Sequence, residues 1–164
     1  MLLNPKYLRL ALVGAGLIVV VAILVSSSHG TPSLNSQCGP YRTDKVVTIA
    51  SQKFNTEVAA TSVQKVAGLG GRPCIESNQA MLFDFGKPSQ YAIWMKDMRF
   101  PIDIVWINVD HKVVGVESGV EPSTYHSKNP YFINDKNHIA QYVLELKSHR
   151  TDELHITIGT PVQF

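Results

Sequence analysis

Leu10 to Val25 is an unbroken apolar run of sixteen residues, and Ser26, Ser27 and Ser28 extend the uncharged stretch to nineteen. Such a run has no polar face to turn toward solvent, so it does not read as a surface helix of a small domain. It matches the roughly 17–25 residues that cross a bilayer as a helix. Lys6 and Arg9 stand just before it and residues 1–28 hold no acid. Basic residues at that flank keep the N-terminus cytoplasmic. Residues 1–28 are therefore expected to form a signal-anchor, with 8–28 in the lipid bilayer. The chain is then a single-pass protein of the cell membrane with an extracytoplasmic globular part. The alternative is a secreted product after signal cleavage near Val25–Ser28, although signal-peptide cores usually run only ~7–15 residues. No cysteine follows the run in the position that lipoprotein processing needs.

Residues 29–45 are dominated by Gly, Pro, Ser, Thr and Asn and read as a linker. The remaining residues, 46–164, suit one domain. The chain carries 15 basic and 13 acidic side chains, two of the bases precede residue 28, and residues 29–164 are thus neutral overall. A neutral domain lacks the basic footprint of a nucleic-acid binder, so no nucleic-acid partner is expected.

The domain reads as short strands. Val46–Ala50 is β-branched, Ser51–Lys53 reads as a turn, and Phe54–Ala59 returns with alternation. Thr61 is placed to cap a helix of about two turns bearing Val63, Val66 and Ala67 at i, i+3 and i+4, ended by Gly68, Gly70 and Gly71. Further strands are expected at Ala80–Phe85, Tyr91–Met95, Ile102–Val109, Lys112–Glu117, Ala140–Leu146 and Leu154–Ile158. Seven or eight short strands and one short helix define a mostly β, β-rich α+β domain, a compact barrel or sandwich.

The runs Ala59–Pro73, Ala80–Phe85, Trp94–Ile107, Tyr142–Leu146 and Ile156–Val162 together resemble domain of unknown function 192. The Trp94-Met-Lys-Asp-Met98 and Phe100-Pro-Ile-Asp-Ile104 segments are the most specific part. The resemblance implies a compact β-rich domain, often secreted or membrane-anchored, without an established reaction. Two positions depart from the pattern of that family. Its hairpin turn usually carries Asp-Gly where this chain has Asp110-His111, and its closing stretch usually carries Gly-Asp where this chain has Gly159-Thr160.

The Trp94–Asp103 block supplies the candidate chemistry. Asp103 falls on the strand face of Val105 and Ile107, and a shielded carboxylate needs a partner or protonates. Lys96, Arg72 and Arg99 are the candidate cations, and backbone N–H groups of the Arg99–Pro101 turn are the alternative. Lys96, Asp97, Asp103 and Glu145 are the catalytic candidates of a small hydrolase-like envelope enzyme. Glu145 falls on the more polar face of its strand and reads first as a surface or cross-strand partner, the site role being the alternative. Arg72, Trp94, Tyr125 and Tyr131 are the ligand-binding candidates. The twenty residues 118–137 show no periodicity, and their aromatics are placed either to stack on a polysaccharide or to fold back over the core.

The six histidines include no pair at i, i+2 or i, i+4, so no metal site is expected. P-loop, GxGxxG and GxSxG patterns are absent from the sequence, and no cofactor is expected. Cys38 and Cys74 both fall outside the membrane in this topology, where an oxidising compartment joins them as a disulfide, two free thiols being the alternative. The leading reading is a non-catalytic binding module of the envelope, with an envelope protein or polysaccharide as partner. The enzyme and the carbohydrate-binding module are its rivals.

Overall fold

The computed structural model describes residues 38–128, 131–133 and 139–164. The predicted span 8–28 lies outside them, and no helix among the described residues is long and apolar enough to cross a membrane. The domain opens with the hairpin β1 (Lys45–Ile49) and β2 (Gln52–Ala59). Its turn is the pair Ala50 and Ser51, both in the left-handed region at φ 48° and 64°. Positive φ at both central residues matches the twist of the flanking strands, so the turn sits earlier than Ser51–Lys53.

Helix α1 (Ser62–Ala67) follows, capped as the sequence predicts. The Thr61 hydroxyl accepts from the Gln64 backbone N–H, and the Gln64 side chain accepts from the Thr61 N–H. This reciprocal pair satisfies two donors that a helix start otherwise leaves open. Gly68, at φ 47°, ends the helix. The chain then enters β3 (Gln79–Ser89), which runs parallel to β2. Next come β4 (Ala92–Trp94), β5 (Ile102–Ile107), β6 (Val113–Val120), a 3-10 turn (Pro122–His126) and β7 (Tyr131–Ile133). β8 (Ala140–Lys147), α2 (Arg150–Glu153) and β9 (Val162–Gln163) complete the described chain.

Seven strands make one sheet in the order β6-β5-β8-β3-β2-β1-β9, and β4 pairs with β7 in a separate ribbon. The large sheet curls until its edges meet at one end. Lys112 bridges Pro161, Val113 exchanges backbone bonds with Thr160 and Gly159, and Val162 donates to the His111 carbonyl. Closure of this kind removes exposed strand edges. The fold is the β-rich one expected, in the form of a curled, partly closed sheet with two short α-helices.

Both faces of the sheet are covered. The concave side holds Val47, Phe54, Leu82, Val105, Leu144 and Val162. The convex side carries Met81, Phe83, Ile104, Trp106 and Val143 under Leu69, Ile75, Ile93 and Met95. β5 is buried at every position for this reason, with Ile104 and Trp106 on one face and Val105 and Ile107 on the other.

Three local expectations change. Residues 118–137 are not one irregular connection, because β6 runs on to Val120 and the 3-10 turn and β7 follow. Leu154–Ile158 is not a strand. It leaves α2 through a left-handed His155 at φ 53°, and the Ile156 N–H donates back to the Thr151 carbonyl. The apolar stripe of α1 does not enter the core: Val63 is 80% and Val66 58% exposed.

Candidate functional site

The exposed face of α1 forms one wall of a groove. Its opposite wall is Ala92–Met98, and its floor is Phe83, Phe85 and Leu69. The apolar end encloses about 170 Å³. It opens into a wider polar cleft of about 630 Å³ that shares Val66, Gly70 and Lys96 and adds Asp97 and Arg99. Gly70 sets the spacing of the walls. A Cβ there meets the Ala67 and Lys96 carbonyl oxygens at 3.1 and 3.2 Å, so any larger residue pushes the two backbones apart by a few tenths of an ångström. The Gly71 N–H donates to the Asp97 carbonyl and locks the same junction, with Asp97 itself at φ 58°. The Trp94 ring stands 6.1 Å from that of Tyr131, and the Lys65 ammonium lies 5.0 Å above the Phe85 ring. The groove is thus an apolar trough rimmed by Lys65, Lys96 and Arg99, with Asp97 the acid in its lining.

Three buried acids lie elsewhere, and each is accommodated differently. Glu57 is gripped at 2.9 Å on both oxygens by the fork of Arg72, and it also accepts from the Arg42 N–H. Burial pushes its pKa up, but the Arg72 and Arg42 contacts together outweigh this and hold it below the usual range. Tyr41 packs against the pair: Arg72 lies over its ring, and its hydroxyl donates to the Ala80 carbonyl. Burial raises that phenol to about 12. Glu145, 4% exposed, is opposite Met81 and Ile104 on its two neighbouring strands, and its Oε2 has no hydrogen-bond partner among the described residues. Desolvation raises its pKa to about 8, against a smaller opposing pull from Arg72.

Asp103 is fully buried and is held by a ring of donors. Oδ1 accepts from the N–H groups of Gly119 and His149, each at 2.8 Å, and more distantly from the Ser118 hydroxyl. Oδ2 accepts from the N–H and hydroxyl of Thr151 at 2.7 and 2.8 Å. Backbone donors therefore replace both the expected cation and the Arg99–Pro101 turn, and they tie β6 and the start of α2 to β5. Asp103→Asn puts an amide donor among donors. It is expected to cost about 1–3 kcal/mol, the scale of disturbing a buried polar network, read as a shift of the denaturant midpoint. A midpoint unchanged by Asp103→Asn would contradict this role.

The four catalytic candidates thus fall in three places. Lys96 and Asp97 are neighbours in the groove, while Asp103 and Glu145 are opposite adjacent positions of β5 and β8 and face opposite sides of the sheet. Glu145 is a core residue because β8 lies between β3 and β5 with both faces covered. Arg72 is committed to Glu57 and not to Asp103. Trp94 and Tyr131 come together at the groove, whereas Tyr125 packs back on the convex core beside His126. Glu57, Tyr41 and Thr151 were not singled out from sequence. Their only signal is placement, which strand order decides. Cys38 and Cys74 form a disulfide, with Cα atoms 4.7 Å apart.

A partly closed β-sheet with a ribbon and a short helix framing an apolar, cation-rimmed trough defines a small β-rich domain. Residues 45–164 match the DUF192 model, described as uncharacterized ACR. The chain belongs to this family. Two solved structures share the fold. A protein of unknown function from Novosphingobium aromaticivorans has a TM-score of 0.65 at 23% identity, covering 73% of this chain and 84% of that one. A Sinorhizobium meliloti protein described as "a putative transcription regulator" has a TM-score of 0.64 at 27% identity, covering 76% and 97%. No curated protein matches the chain.

Proposed function

We propose that this protein is a membrane-anchored, extracytoplasmic binding module, held by residues 8–28 and recognising its ligand through the groove between α1 and Ala92–Met98. The observation that carries the reading is the apolar stripe of α1. Val63 and Val66 face solvent beside a trough of about 170 Å³ instead of entering the core. Exposed contiguous apolar surface with a polar rim is the mark of an interaction site. An apolar cavity of roughly 150 Å³ holds benzene, so the trough suits one large apolar group, not a drug-sized ligand. The Cys38–Cys74 bond supports placement in an oxidising compartment.

Two measurements test this. Fractionation of the full chain is expected to leave it in the membrane at its uncleaved mass. Titration of the detergent-solubilised full chain with indole is expected to shift the methyl resonances of Val66, Ile93 and Met98 and to leave those of Val47 and Val105 in place. A soluble product beginning near Ser27 refutes the anchor. Uniform or absent shifts refute the groove.

A further inference from the structure

The rim of the groove and the aromatic pair together say what the groove faces. Val63, Val66, Trp94 and Tyr131 are the exposed apolar side chains here, at 80%, 58%, 37% and 45% exposure. They form a connected surface. Val66 and Trp94 line the same trough, Val63 adjoins Val66 along α1, and Tyr131 stands against Trp94. Lys65, Lys96 and Arg99 surround them, against Asp97 alone among the lining residues. Aliphatic side chains at the centre, Trp and Tyr beside them and long basic side chains around the edge are the arrangement that seats a protein at a lipid interface. The apolar groups enter the acyl boundary, the aromatics sit at headgroup level, and the cations meet anionic headgroups.

Cys38 is bonded to Cys74, which follows three residues after Gly71 of the groove wall. Ten residue steps separate Ser28 from Cys38, a reach of no more than about 35 Å even when fully extended. A chain anchored through residues 8–28 therefore keeps the disulfide within that reach of its anchor.

We infer that this face docks on the anionic lipid surface of the membrane that anchors the chain, with lipid acyl and headgroup moieties as the occupant of the groove. This inference rests on the anchored binding module proposed above. Docking of a tethered domain is intramolecular, so a weak patch suffices because the tether supplies a high effective concentration.

The test uses the full chain in nanodiscs of phosphatidylcholine, with and without phosphatidylglycerol, carrying brominated acyl chains that quench tryptophan on contact. Trp106 is 1% exposed and serves as the internal reference. In discs with phosphatidylglycerol, the Trp94 share of the emission is expected to be lost, and Trp94→Phe removes the quenchable component. Val66→Asp restores the Trp94 emission, and Lys65→Glu with Lys96→Glu does the same. Circular dichroism of each variant establishes that the fold persists, since all three positions lie outside the core. A chain that does not enter the discs refutes the anchor and leaves the face unaddressed by lipid, overturning both readings. A chain that enters while Trp94 keeps its full emission overturns the docking alone. Equal quenching with and without phosphatidylglycerol overturns the recognition of anionic lipid.

Discussion

Replacing Cys38 and Cys74 by serine is expected to lower the unfolding free energy of the full chain by about 4 kcal/mol, the chain-entropy value for closing a loop of this length. The bridge joins residues 36 apart. What it secures is the stretch before β1, where Tyr41 reaches the Ala80 carbonyl and the Arg42 N–H reaches Glu57. With the bond gone, that stretch must hold itself by those contacts and by the exposed Arg42–Asp44 pair, which contributes little in water. The double variant should therefore also be cut by protease between Cys38 and Lys45 sooner than the wild type. Denaturant unfolding with and without reductant measures the first effect, and limited proteolysis the second. An unfolding midpoint indifferent to reductant, or free-thiol labelling of both cysteines in untreated protein, would refute the expectation.

The strands were legible wherever one side chain in two had to be apolar. β1, β5, β6 and β8 fall within a few residues of their expected places because β-branched alternation has few other uses. The capped helix was legible for a local reason too, since Thr61 and Gln64 need only each other. Failures came where a residue's meaning depends on neighbours in space. Leu154–Ile158 alternates like a strand, yet Asp103 captures the N–H and hydroxyl of Thr151 and fixes a helical turn immediately before it. Val63 and Val66 look like core residues on a short helix, and nothing local says that the face they form is left open. The groove was half legible. Trp94, Lys96 and Asp97 were candidates from sequence, but Gly70 earns its place only through carbonyls that the fold brings near it. His111 shows the reverse case. It occupies the hairpin position where glycine is usual, takes φ 57°, and stacks on Phe164 at 4.2 Å. An L-residue is disfavoured in this region.

Glu145 is expected to make the domain more stable in weak acid than in weak base. Its carboxyl pKa is raised from the ordinary 4.5 to about 8 by burial. At neutral pH the folded protein therefore keeps a proton there that the unfolded chain has released. Below the unfolded value both states are protonated, and the favourable term is fully present. As pH rises from about 4.5 the unfolded state gains by ionising, and the term is lost by the time pH has risen through about 8. Above that both states are ionised and the slope vanishes. The shift corresponds to a loss on the order of several kcal/mol across this window. Glu57, Asp44 and Asp152 act in the opposite sense, since their lowered pKa values withdraw stability as pH falls into the acid range. The Glu145 effect is therefore read as a difference between wild type and Glu145→Gln. The amide is close in shape and does not ionise, so the variant lacks this loss, and its stability relative to wild type is expected to rise as pH rises from about 4.5 to about 8. Glu145→Met tests the same point from the apolar side, because the position lies between Met81 and Ile104. A difference curve with no slope between pH 5 and 8 would show that the carboxyl is ionised in the fold, and would require a cation or water beside Oε2.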